Sequence, residues 1–338
     1  MVKFIIILFF AIAITTTTTT AKPNKKDYSP TPYGYVLSKC MYEVPTYSKM
    51  KELKNGSTLV MLANNQGSYI IPKCKSNNND PILIAKNHEK IFDEEDEKEL
   101  KGSPLPPDYD GWLQYTELNT TDLNVQDTFD AFTNYMSVPE IPKSKPQVLF
   151  LFPGLQNINW IPKVDPEPEF FDIIQPVLQY PGNGFFSKGW SLKSWYVTVN
   201  AGAIFSTAIN NIEPGDSIFC NMTRTGDNSW IVIGTVKSTG KSTVQTCQND
   251  RLKTQPWAYN TVECYGCDGC DTYPSNYVAF TENKIYKDNK LLNLKGSLWK
   301  INPKPAKKLM CHEKTVVKEN SDTAMYFDST IKIIVYHN

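Results

Sequence analysis

The chain has 338 residues, and its 35 Lys and Arg balance 35 Asp and Glu to a formal charge of zero. A nucleic-acid backbone or an anionic membrane surface asks for a basic surplus, so neither is expected as a partner. The length suffices for one large domain and a smaller one.

In chain order, a lysine at position 3 precedes the apolar run Phe4–Ile14 and then a threonine tract ending in Ala21. The run is too short to span a bilayer and suits the core of a signal peptide, with small residues Thr19 and Ala21 placed for cleavage. Residues 1–21 are therefore read as a signal peptide, and the mature protein as secreted or delivered to a lysosome-like compartment. No later stretch reaches the ~18 apolar residues of a membrane span. Eight cysteines, an even number, favour disulfides in such a compartment. Sequons at Asn55, Asn119 and Asn221 permit glycosylation.

Short strand-like pieces such as STLVMLA and SYIIP surround Cys40 and Cys74, and a charged, then proline-rich stretch follows near residues 87–110. Residues 22–105 are read as a small N-terminal domain or propeptide with some β-structure, and residues 106–338 as the main domain. Beyond the boundary, β-branched and aromatic runs alternate with turn clusters such as EPGD, RTGDNS and STGKS. Many short strands at close spacing predict an all-β fold, a two-sheet antiparallel sandwich. VLFLF and WIVIG are apolar at every position, which predicts that some strands are covered on both faces.

The conventional catalytic sets are missing from the sequence. It has three histidines, no G-x-S-x-G elbow, and a CHEK string at Cys311 that lacks the second histidine of a zinc-protease helix. The cluster CYGCDGC, Cys264–Cys270, does not have the spacing of a common structural zinc site, so disulfides are expected there and no metal or cofactor. Cys220 and Cys247 flank a strand meander and could pair across it. Trp190, Trp195 and Trp257 are candidate exposed rings for stacking on sugars, or core residues.

Two stretches carry polar side chains on predicted strands. In FDIIQPVLQY, Phe171–Tyr180, Gln175 and Gln179 are four residues apart and fall on one strand face. Proline between them predicts a bulge or an edge. In YNTVECY, Tyr259, Thr261, Glu263 and Tyr265 share a face, and Asn260, Val262 and Cys264 take the other.

From Ala131 onward the order of these signals resembles the glutamic peptidases of the eqolisin type, secreted acid proteases built as a concanavalin-like sandwich. The strings carrying the resemblance are TNYMSVPEIPKSKPQVLFLFPG, VLQYPG, SWYVTV, IEPGD and YNTVE. It covers most of residues 125–285. The chain departs from the family in having LFLFPG in place of W-V-G-I-D-G, and Tyr259 in place of the first glutamate of the last string. The resemblance implies Gln179 and Glu263 as a catalytic dyad. Gln175, Trp195, Tyr259 and Tyr265 would line the substrate site. Glu263 would act as general base and then acid, and Gln179 would orient the water and bind the oxyanion. A non-catalytic sandwich that binds glycans is the second reading. The expected partner is accordingly a polypeptide substrate or a glycan, and a monomer is expected.

Overall fold

The computed structural model describes residues 27–75, the backbone of 83–85, and residues 111–125, 128–158, 171–181, 189–267, 269–301 and 311–328. The expected signal peptide, the charged stretch, the domain boundary near residue 105 and the terminal TIKIIVYH string lie outside the described residues. Among the described residues the regular structure is β-strand with short 3-10 turns. The N-terminal strands are β1 (Tyr28–Pro30), β2 (Gly34–Leu37), β3 (Met41–Val44), β4 (Ser48–Glu52), β5 (Thr58–Met61), β6 (Ser68–Ile71) and β7 (Leu83–Ala85). The middle of the chain forms β8 (Gly111–Asn119), β9 (Ala131–Ser137), β10 (Val148–Gln156), β11 (Asp172–Tyr180), β12 (Trp190–Thr198), β13 (Gly202–Ser206) and β14 (Ile209–Ile212). There follow β15 (Ser217–Gly226), β16 (Ser229–Val236), β17 (Ser242–Gln248), β18 (Trp257–Tyr265) and β19 (Tyr277–Lys287). The last are β20 (Lys290–Leu291), β21 (Lys300–Ile301), β22 (Lys314–Val317) and β23 (Thr323–Tyr326).

These strands make a two-sheet sandwich. One sheet runs β21-β8-β18-β10-β11-β12-β13-β3, with β14 beside β12. The other runs β22-β23-β19-β9-β15-β16-β17-β4-β5-β6, with β20 beside β19. The expected turns fall between strands: EPGD joins β14 to β15, and STGKS joins β16 to β17 with Gly240 at positive φ. Period-two burial in β16 sends Trp230, Val232 and Val236 inward and leaves Ile231 and Ile233 half-buried, so WIVIG is fully covered on one face only. They meet Leu149, Leu151, Leu155, Ile174, Leu178 and Leu192 of the facing sheet. Within this apolar layer the Asn134 side-chain amide donates to Asn260 Oδ1 and Asn283 Oδ1, and that of Asn260 donates to Asn283 Oδ1.

Pairing is antiparallel apart from two parallel junctions made by the N-terminal region, where β3 joins β13 and β4 joins β17. The N-terminal strands thus extend both sheets. β1, β2 and β7 form a third small sheet, whose hairpin lies on the outer face of the β8–β13 sheet. Every residue of β10 is consequently buried, as expected for VLFLF.

Disulfides join Cys40 to Cys74, Cys264 to Cys267 and Cys270 to Cys311. Cys220 and Cys247 do not pair. Cys220 is opposite Gly234 and Cys247 opposite Trp230, four residues further along the same strand, which at ~3.4 Å per residue is far beyond disulfide reach. The proline in β11 creates neither a bulge nor an edge. β11 is central, and its register with β10 is the same at Leu151–Leu178 and at Leu155–Ile174. Pro153 and Pro176 face each other between these points, so two residues that lack an N–H share one gap in the ladder.

Candidate functional site

β10 is the axis of the outer face. Phe150 is in register with Gln179 on one neighbouring strand and with Glu263 on the other; Ser191 continues the row beyond Gln179 and Trp112 beyond Glu263. Residues in register share a face, so Gln179 and Glu263 project from the same side. Two strand spacings of ~4.8 Å separate their backbones, with the Phe150 ring between. Glu263 is fully buried, and its Oε1 accepts a hydrogen bond of 2.6 Å from the Tyr265 hydroxyl. Gln179 is half-buried and donates from Nε2 to the Pro181 carbonyl at 3.3 Å, turning its amide toward its own loop.

The alternation expected for YNTVECY is observed: β18 presents Trp257, Tyr259, Thr261, Glu263 and Tyr265 to the outer face, and Asn260, Val262 and Cys264 to the sandwich interior. A second row contains Gln175, Gly154 and Tyr259, with Trp195 beyond Gln175. Glycine is needed at 154 because a Cβ there would lie 2.4 Å from Tyr259 Cε2 and 2.5 Å from its hydroxyl. The tyrosine ring thus lies flat across the central strand, held by Trp112 at 4.7 Å and Trp257 at 5.2 Å between ring centroids.

This face concentrates buried polar atoms without a hydrogen-bond partner among the described residues: Gln175 Oε1, Ser191 Oγ, Trp195 Nε1, Trp257 Nε1, Tyr259 OH and Thr261 Oγ1. Each such group costs about 1–3 kcal/mol when buried unpaired. Six of them lie on one side of one sheet, an unusual concentration for a native interior.

Burial and charge perturb the titrating groups here. Lys193, in register with Val177 and so on this face, is pushed down to about 8 by burial, partly opposed by the charge of Glu43. Its ammonium lies 4.2 Å from the Phe205 ring centroid and 5.8 Å from that of Trp195. The Tyr259 hydroxyl is raised well above its ordinary value, first by burial and then by the neighbouring charge of Glu263. Among the described residues no group of three His, Cys, Asp or Glu side chains could hold a metal ion.

The three tryptophans considered as exposed sugar platforms are all buried. Trp190 points between the sheets and donates to the Pro139 carbonyl at 3.0 Å. Trp195 and Trp257 belong to the outer-face cluster, which also contains Tyr28, Tyr33, Tyr35, Val36 and Leu37 of the N-terminal hairpin. The rings pack because both faces of these strands are covered, and aromatic area is what such layers bury. Sequence reasoning missed β8, which places Trp112 beside Glu263 and Tyr115 beside Thr261. GWLQYTELN does alternate in burial, but its inward side carries Gln114 and Thr116, so hydrophobicity did not mark it.

No protein-family profile and no curated protein matches the sequence. Among solved structures, scytalido-glutamic peptidase with a peptide-based transition-state analogue is 15% identical with a TM-score of 0.44, covering 64% of this chain and 97% of that one. SCP-B, a member of the eqolisin family in complex with the tripeptide Ala-Ile-His, is 16% identical with a TM-score of 0.41 and the same coverage. Lectin II from Ulex europaeus is 13% identical with a TM-score of 0.28, covering 46% of this chain and 68% of that one. Likenesses at this level concern β-sandwich architecture alone.

Proposed function

We propose that this protein is a secreted acid endopeptidase in which Glu263 and Gln179 activate water against a peptide bond lying over the β10–β11–β18 face. The observation that carries the reading is the row Gln179–Phe150–Glu263: an amide and a carboxyl, 84 positions apart in the chain, project from one side of one sheet. The unpartnered amide, hydroxyl and indole groups around them add donors and acceptors for a polar ligand. Glu263 takes a proton from water and returns it to the leaving amine, while the amide of Gln179, turned away from Pro181, donates to the developing oxyanion. The carboxyl lies beneath the N-terminal hairpin, so reaction requires that the hairpin give way. Three disulfides agree with an oxidising, extracellular setting. The same polar groups could meet a sugar, but the buried tryptophans offer no open stacking platform.

The test is incubation of the purified protein with a denatured protein substrate between about pH 3 and 7, with cleavage read by mass spectrometry. Wild type is expected to cleave on the acid side, and Glu263→Gln to lose at least about a hundredfold in rate. Equal rates for the two proteins, or no cleavage by a folded sample at any pH, would falsify the reading. Retention on a polysaccharide column in that case would favour the glycan alternative.

A further inference from the structure

We infer that the outer face around Gln175 is a polypeptide-binding groove selective for a Tyr-x-Tyr segment, and that Tyr33-Gly34-Tyr35 of the chain's own N-terminal hairpin, with the Pro32 carbonyl before it, is its resident occupant. The inference rests on the proposed function in placing a polypeptide at this face, and deepens it by naming the kind of segment bound.

The hairpin of β1 and β2 turns at Thr31–Gly34, where the Thr31 N–H donates to Gly34 O at 2.7 Å and the Gly34 N–H to Thr31 O at 3.2 Å. The turn directs the Pro32 carbonyl at the sheet, where Gln175 Nε2 donates to it at 2.9 Å. A side-chain amide bonded to a main-chain carbonyl is recognition of backbone, available to any polypeptide laid in the same place. Side-chain selectivity comes from two rings. Tyr33 packs on Phe171 at 4.2 Å between centroids, and Tyr35 meets Tyr265 edge-on at 4.9 Å. Tyr265 is the residue that donates to Glu263, so the second ring sits next to the proposed catalytic carboxyl.

The hairpin is attached as a ligand would be. Among the described residues its strands pair with each other and with β7, and with neither large sheet. Side chains therefore hold it to the face, in one apolar cluster with Phe150, Val177, Trp195 and Tyr265. Among the described residues Gln175 Oε1 has no hydrogen-bond partner. The covalent tether lies at the hairpin's far end, where Cys40 is joined to Cys74.

The experiment uses the full chain carrying Tyr33→Ala and Tyr35→Ala, and a fluorescein-labelled peptide with the sequence of Ser29–Leu37. Amide exchange at Tyr28–Leu37 is expected to speed up by about tenfold or more in the variant, as two aromatic contacts are lost. Exchange in the sandwich strands should not change. Fluorescence anisotropy should show saturable binding of the peptide to the variant, and binding at least about tenfold weaker to wild type, where the peptide must displace the tethered hairpin. Adding Gln175→Ala, or replacing both peptide tyrosines by alanine, should weaken binding by about tenfold. A hairpin that stays protected in the variant overturns the inference, as does a released hairpin whose place the peptide does not take or takes equally well without its tyrosines. If the variant does not fold, excess unlabelled peptide is added to wild type, where faster exchange at Tyr28–Leu37 supports the inference and unchanged exchange overturns it. The binding arms are repeated with Glu263→Gln present; binding that persists while wild type cleaves nothing would separate a failed peptidase reading from a sound groove.

Discussion

Two residues show how closely the candidate site depends on local geometry. Gly154 has no side chain, and the ring of Tyr259 takes that space, crossing the central strand under Trp112 and Trp257. Gly154→Ala would drive a methyl into a ring that has no room to withdraw, and is expected to destabilise the protein by about 1–3 kcal/mol. Urea unfolding followed by tryptophan fluorescence checks this; an unchanged midpoint would mean that the ring can move. Tyr265 has a different task, donating its hydroxyl to the buried Glu263. Tyr265→Phe keeps the ring and removes one donor from a buried carboxyl. It is expected to cost about 1.5–3 kcal/mol on the same assay, and an effect below the assay error would show that other donors suffice.

At the scale of elements, the start of β11 is tied to the N-terminal region through a buried ionic cluster. Arg251 bonds Asp172 and Glu52, and also donates to Thr198 Oγ1 at 2.9 Å; the Tyr196 hydroxyl donates to Asp172 at 2.7 Å. Two carboxyls share one guanidinium, and Asp172 is the fully buried one. Burial pushes it up from 3.8 to about 6, against the charge of Arg251 and the hydrogen bonds from Arg251, Tyr196 and Thr198. A carboxyl whose value is higher folded than unfolded binds protons on folding. Its contribution to stability is therefore full below 3.8 and is lost as the pH rises through about 6. The shift corresponds to roughly 3 kcal/mol. The stability difference between wild type and Asp172→Asn should thus change between about pH 4 and pH 7 in favour of wild type at the acid end. Parallel pH profiles of urea midpoints for the two proteins would count against it. An acid-strengthened junction suits a protein proposed to work in acid.

At the scale of the molecule, the sandwich carries a third layer. The N-terminal region supplies β3 to one sheet and β4–β6 to the other, and folds β1 and β2 back over the outer face. Cys40–Cys74 closes a loop of sequence separation 34 across this region, and the Cys74 N–H donates to Asn200 O at 2.7 Å. Loop-closure entropy puts the contribution of that disulfide at about 3–4 kcal/mol. Replacing both cysteines by alanine is expected to lower the unfolding midpoint accordingly and to raise amide exchange in Tyr28–Leu37 first, since among the described residues that hairpin has no ladder to either large sheet. Uniform loosening of the whole chain would argue that the layer is an inseparable part of the core.

For strands marked by β-branched and aromatic runs, unlike β8, facing was legible in the residues themselves, because a strand's side chains alternate with period two: Tyr259, Thr261, Glu263 and Tyr265 had to share a side once YNTVECY was a strand, and Gln175 and Gln179 likewise. What covers each side was not legible, since burial depends on residues far away in the chain. Trp190 and Trp195 belong to one strand and look alike in sequence, yet one fills the sandwich and the other joins the outer-face cluster shared with the N-terminal hairpin. Nor could spacing tell that Cys220 and Cys247 sit too far apart, or that Pro153 would face Pro176, because register is set by pairing between strands. Local covalent geometry decides which way a side chain points; only the assembled sheets decide what it meets.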